Sequence, residues 1–155
     1  MLEKNIFKEI LKGRVIIIGV GNILRGDDAL GPIFIKKLTQ KSKITCFDVG
    51  VSPENYIGKI ARENPDTILI IDALYLNKPC GEYAILGPSE ITNSGFTTHD
   101  ISPAIFLELL KIKTNANIYF LGIQPKNTSF GEGLSQEVKS TISSLFKLIM
   151  EVQYA

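Results

Sequence analysis

Cysteine and histidine are scarce in this chain, and that scarcity narrows its chemistry before any motif is read. There are two cysteines and one histidine in 155 residues. Cys46 and Cys80 have no CxxC partner and are too few for a disulfide scaffold or a thiolate zinc site, so both are expected to be buried, reduced thiols. A His-Glu-x-x-His zinc site, a Gly-x-Ser-x-Gly elbow and a Walker loop are all missing, and a serine triad would have to use His99 with a serine that nothing marks. An excess of one charge is missing too. With 17 basic and 16 acidic residues and no basic block, the electrostatic footprint of a nucleic-acid binder is absent, and no nucleic acid is expected as partner. The apolar runs VIIIGV and ILIIDALYL fall far short of the roughly 18 to 20 residues of a spanning helix, so no membrane span is expected. The first residues, MLEKNIFKEILKG, mix both charges and space Leu2, Ile6, Phe7, Ile10 and Leu11 as a helix face, which reads as a mature cytoplasmic chain rather than a secretory signal.

No repeat, low-complexity segment or linker interrupts the sequence, so a single domain over 1–155 is expected, of a size that buries roughly 70% of the surface its unfolded form exposes. Apolar runs alternate with helical periodicity throughout. That pattern predicts an α/β fold, a three-layer sandwich with a mostly parallel five-stranded sheet and helices on both faces. Strands are expected at Arg14 to Val20, Ile44 to Val49, Thr67 to Ala73, Glu82 to Leu86 and Asn117 to Ile123. The segment Leu74 to Pro79 is too short for a crossover helix, so Glu82 to Leu86 should pair antiparallel, at an edge. Pro32 places a helix start close to Asp28, and Ser52-Pro53 and Ser102-Pro103 give the N-cap and first-turn proline of two further helices. A last helix runs from about Ser135 to Val152 and buries Val138, Ile142, Leu145 and Ile149. The polar stretch Glu90 to Thr98 reads as a loop able to move over a site.

Asp28, Asp72 and His99 each follow an apolar or β-prone run. A parallel sheet would gather such positions at its carboxyl edge, where ligands of open α/β sheets bind. Asp72 interrupts TILIIDALYL where a buried strand meets that edge, and a stray carboxylate there would be costly. Two carboxylates converging on one rim raise each other's pKa unless a cation or a shared proton offsets the repulsion. An imidazole beside them completes a three-point metal site with open positions, whose geometry alone would not choose the metal. For Asp27 and Asp28 the competing reading is helix capping, which one carboxylate would satisfy.

Gly19-Val20-Gly21 after a strand also invites a dinucleotide-binding reading, with Asp48 as the ribose-binding acid. Leu24 stands where that motif needs its third glycine, and Asp27-Asp28 would put negative charge where a pyrophosphate should sit. A nucleotide-dependent enzyme is therefore a minor alternative.

From Val15 to the last helix the chain resembles the maturation endopeptidases of nickel-iron hydrogenases. GVGNILRGDDALGP resembles the opening motif of that family, DVGVSPEN its second-strand segment, ILIIDALY its central strand, and TTHD and FLGIQP its later signatures. SPEN, TTHD and GIQP together are most similar to the branch that processes formate-hydrogenlyase-type, group 4 hydrogenases. The resemblance implies an endopeptidase that removes a C-terminal extension from the hydrogenase large-subunit precursor after nickel insertion. It carries the metal-contacting and catalytic positions of the family onto Asp28, Asp72 and His99, with aspartate at the first position where many members carry glutamate. It further implies no permanent cofactor: the nickel belongs to the precursor, although zinc or another divalent ion could occupy the site in vitro. A non-catalytic nickel checkpoint or chaperone for the same precursor is the alternative from another class.

Overall fold

The computed structural model describes residues 2–91, 95–96, 103–131 and 133–154. Its central sheet runs in the order β2-β1-β3-β6-β4. The strands are β1 (Val15–Val20), β2 (Thr45–Gly50), β3 (Thr67–Tyr75), β4 (Tyr83–Leu86) and β6 (Asn117–Ile123). β1, β2, β3 and β6 pair in parallel, and β4 joins β6 antiparallel at the edge. The expected five-stranded, mostly parallel sheet is therefore present. One further strand, β5 (Gly95–Phe96), pairs antiparallel with Leu74 and Tyr75 of β3 off the main path. Together with the short helix α4 (Pro88–Ile91) it corrects the expectation of an uninterrupted loop over Glu90 to Thr98.

The central strands are apolar on both sides because both sides are covered. On β3, Leu69, Ile71 and Ala73 share a core with Phe7 of α1 (Leu2–Ile10), Phe34 and Leu38 of α2 (Leu30–Lys41), and Ile142 and Leu145 of α6 (Gln136–Gln153). The alternate residues Ile68, Ile70 and Leu74 pack with Ile57 and Ile60 of α3 (Ile57–Arg62) and with Phe106 and Leu110 of α5 (Pro103–Lys113). Strand side chains alternate between faces, so Asp72 lies on the α3/α5 face with Ile70 and Leu74.

From β1 the chain crosses through α2 to β2 on one side, then returns through α3 to β3 on the other side of β1. The strand order reverses between the carboxyl ends of β1 and β3, which is where open α/β sheets form a crevice. Two glycines let the layers close at this point. A Cβ at Gly19 would collide with the Gly31 carbonyl, and one at Gly31 would lie 2.7 Å from Val20 N and 2.8 Å from Ile71 O. The start of α2 is thus seated directly on the ends of β1 and β3. No described helix is long and apolar enough to cross a membrane.

Candidate functional site

Asp28 and Asp72 belong to two elements that pack together beside the strand-order reversal, the turn after β1 and strand β3. Asp28 lies in a single 3-10 turn, Gly26–Ala29, inserted between β1 and α2. Asp72 lies on β3, opposite Gly122 of β6. The 3-10 turn packs against β3, and both aspartates are buried, at 0% and 2% exposure. His99, the third expected site residue, lies outside the described residues. It precedes α5, the helix that covers the face carrying Asp72. Among the described residues no cluster of three metal-ligating side chains occurs.

The position of Asp28 depends on Gly21. This residue has φ +150°, and a Cβ there would fall on the Asp28 carbonyl oxygen, so only glycine lets the turn approach the strand end. Asn22 N then donates to Asp28 Oδ2 at 3.0 Å, and Asp28 N to Arg25 O at 3.0 Å.

Neither aspartate of the pair caps α2, which begins without a side-chain cap. The capping reading is corrected in a specific way. The Asp27 carboxylate accepts from Lys126 N (2.8 Å), Asn127 N (3.3 Å), Ser135 N (2.7 Å) and Ser135 Oγ (2.9 Å). Ser135 in turn caps α6 by accepting from Val138 N. Asp27 therefore clamps the loop after β6 to the loop after β1, over a separation of about a hundred residues. Sequence reasoning missed this role, since the partners are backbone amides with no side-chain signature. Gln124 was also legible only as part of a motif. It receives Leu76 N on Oε1 and Gly81 N on its carbonyl, tying the β3–β4 connection to the end of β6. The Ser52 side chain makes no cap either; the helical turn at Pro53–Tyr56 starts on proline alone.

The dinucleotide reading fails on hydrogen bonding. A pyrophosphate needs free amides at the loop and helix start. Here the amides of Gly21, Asn22, Leu24, Arg25, Gly26, Asp27 and Asp28 all donate within the protein. Asp48 is turned onto its own strand end, where Oδ1 accepts from Gly50 N at 3.0 Å. Calorimetry with NAD and ATP at millimolar ligand is accordingly expected to show no saturable heat; a stoichiometric micromolar site would restore that reading.

Both cysteines are free and half-buried rather than fully buried. The Cys80 thiol donates to Glu137 Oε2 at 3.2 Å, and this bond to a carboxylate pushes its pKa above the ordinary thiol value. A thiol held protonated in this way is a poor metal ligand.

The sequence pattern of the hydrogenase maturation protease family, HycI, matches residues 34–152. The chain belongs to that family. The protein is a peptidase, similar over nearly its whole length to solved relatives. It superimposes on the crystal structure of a [NiFe] hydrogenase maturation protease HycI from Thermococcus kodakarensis with TM-score 0.86 and 30% identity, covering 97% of this chain and 99% of that one. The solution structure of an endopeptidase HycI from Escherichia coli gives TM-score 0.80 and 29% identity, over 90% of this chain and 92% of the other. In sequence, the hydrogenase 3 maturation protease of Escherichia coli is 30% identical over 135 residues, 85% of this chain and 86% of the relative.

Proposed function

We propose that this protease removes the C-terminal extension of a nickel-iron hydrogenase large-subunit precursor once nickel has been inserted, and that Asp28, Asp72 and His99 contact the nickel the precursor carries. The burial of two aspartates, Asp28 and Asp72, on elements that pack together beside the strand-order reversal supports this reading. Two buried carboxylates on neighbouring elements would favour a cation between them, because it offsets their repulsion and the cost of desolvating each charge. Two oxygen donors and one imidazole, with no thiolate, form a weak and open ligand set for a divalent ion. Such a set holds the ion firmly only when the precursor supplies its own ligands. The protease then needs no resident cofactor, and nickel enters as part of the substrate. Contact with nickel would place the adjacent peptide bond in the crevice, where positioning and polarisation by the ion lower the barrier to hydrolysis.

The motifs SPEN, TTHD and GIQP, together with likeness to a hydrogenase 3 maturation protease, support the formate-hydrogenlyase-type, group 4 branch. The two free thiols are compatible with a reducing, cytoplasmic setting.

The test compares nickel-loaded and apo precursor, each incubated with chelator-treated protease and followed by electrophoresis. Cleavage of the nickel-loaded form alone is expected. Equal cleavage of both would refute nickel recognition. Binding of the loaded precursor with no change in its length would indicate a checkpoint module, and activity on apo precursor restored by zinc on the protease would indicate an ordinary metallopeptidase.

A further inference from the structure

Among the described residues, four large apolar side chains stand exposed on the loops and strand end at the carboxyl edge of β1, β3 and β6. Ile23 and Leu24 are 62% and 48% exposed, Tyr75 46% and Phe130 78%. They belong to three segments that meet at the carboxyl edge of the sheet. Ile23 and Leu24 lie between Gly21 and Asp28 on the loop after β1, Tyr75 ends the strand that carries Asp72, and Phe130 lies on the loop after β6. Hydrogen bonds join them into one surface. Gly131 N donates to Leu24 O at 2.7 Å, Gly26 N donates to Gly131 O at 2.8 Å, and Tyr75 Oη lies 2.9 Å from Thr128 Oγ1. The Asp27 clamp on Lys126, Asn127 and Ser135 holds both ends of the segment that displays Phe130.

We propose that Ile23, Leu24, Tyr75 and Phe130 form the surface on which the folded body of the nickel-loaded precursor docks, and that Asp27 is the positioning residue that sets its shape. This inference rests on the precursor being the substrate. The four side chains expose on the order of 400 Å² of mainly apolar surface, a size at which patches on soluble proteins mark interaction sites. No charged side chain is among them and two are aromatic, the composition of the buried centre of a protein interface. Continuity identifies the occupant: Asp28 and Asp72 are buried, and the same loop and the same strand that carry them also carry three of the four rim residues. A protein body pressed on the rim brings its own segment down to those carboxylates.

The experiment measures steady-state cleavage of nickel-loaded precursor and, separately, its affinity for the protease by calorimetry. Phe130→Asp and Leu24→Asp are expected to raise KM at least tenfold with kcat within threefold of wild type, and to weaken binding by the same factor. Ile112→Asp, at a residue 71% exposed near the far end of α5, should leave both unchanged. Asp27→Asn should raise KM with kcat retained; a fall in kcat alone would show that Asp27 acts on the crevice and not through the rim. Unaltered KM and affinity in both rim variants, with melting temperatures at the wild-type value, would overturn the proposal. So would dissociation of a dimer of this chain, seen by sedimentation, with precursor affinity unchanged. If wild-type protein binds the loaded precursor without cutting it, the protease reading fails while the affinities of the same variants still test the rim.

Discussion

Asp72→Asn is expected to yield a folded protein that no longer cleaves nickel-loaded precursor, with a loss of about a hundredfold or more, the scale of misplacing a reacting group by about an ångström. The amide keeps the shape of the side chain and removes its charge. Asp72 is 2% exposed in a strand buried at every residue but its last, and a neutral group there is easier to desolvate than a carboxylate. The melting temperature should therefore match or exceed that of wild type. Loss of activity without loss of stability marks a residue kept for its chemistry, and His99→Ala should behave in the same way. Near-normal cleavage by folded Asp72→Asn protein would remove this residue from the site. A large fall in melting temperature would instead make it a structural residue.

Gly21→Ala should be among the most destabilising single substitutions in the chain, although it adds one methyl group. Its Cβ would meet the Asp28 carbonyl at φ +150°, a backbone atom fixed by the 3-10 turn and by the clamp at Asp27. Either the turn moves away or the loop after β1 rearranges, and both displace Asp28 from the crevice. A cost of about 3 kcal/mol or more is expected, a size reserved for strain and overpacking. It corresponds to a fall in melting temperature of roughly 6 to 12 °C for a chain of this length. Gly50→Ala is the matched control. It also has positive φ, +56°, but open space around its Cβ position, so it should cost only about 1 to 2 kcal/mol of backbone strain. Equal melting temperatures for the two variants would show that the close approach of strand and turn is not what requires glycine at position 21.

Much of the fold was legible in the chain because the signals are local. Continuous apolar runs such as VIIIGV and TILIIDALY require cover on both faces, and helix periodicity between them supplies it, so a parallel sheet with crossover helices follows from pattern alone. The short connection from Leu74 to Pro79 likewise placed β4 antiparallel at an edge, as observed. Asp28 and Asp72 were legible as candidates for the same reason: a polar residue at the end of a buried run is conspicuous against its neighbours.

The division of labour between Asp27 and Asp28 was not legible. In sequence they are adjacent, identical and equally suited to cap a helix. Only the folded chain decides that Asp27 faces the amides of Lys126, Asn127 and Ser135 while Asp28 receives Asn22 N of its own loop, since the partners of Asp27 are backbone groups on a loop brought in by β6. The glycines show the same limit. Gly19-Val20-Gly21 reads as a nucleotide loop when taken alone, yet the loop spends its amides on protein acceptors and its lack of Cβ on contacts with Gly31 and Asp28. The apolar rim, too, exists only after folding, because its four side chains come from three separated segments. What the sequence by itself determined was the layer each segment occupies, for that depends on hydrophobic period. What tertiary structure alone decided was which groups face one another across the carboxyl edge, for that depends on strand order, on close approach at glycine, and on hydrogen bonds between residues far apart in the chain.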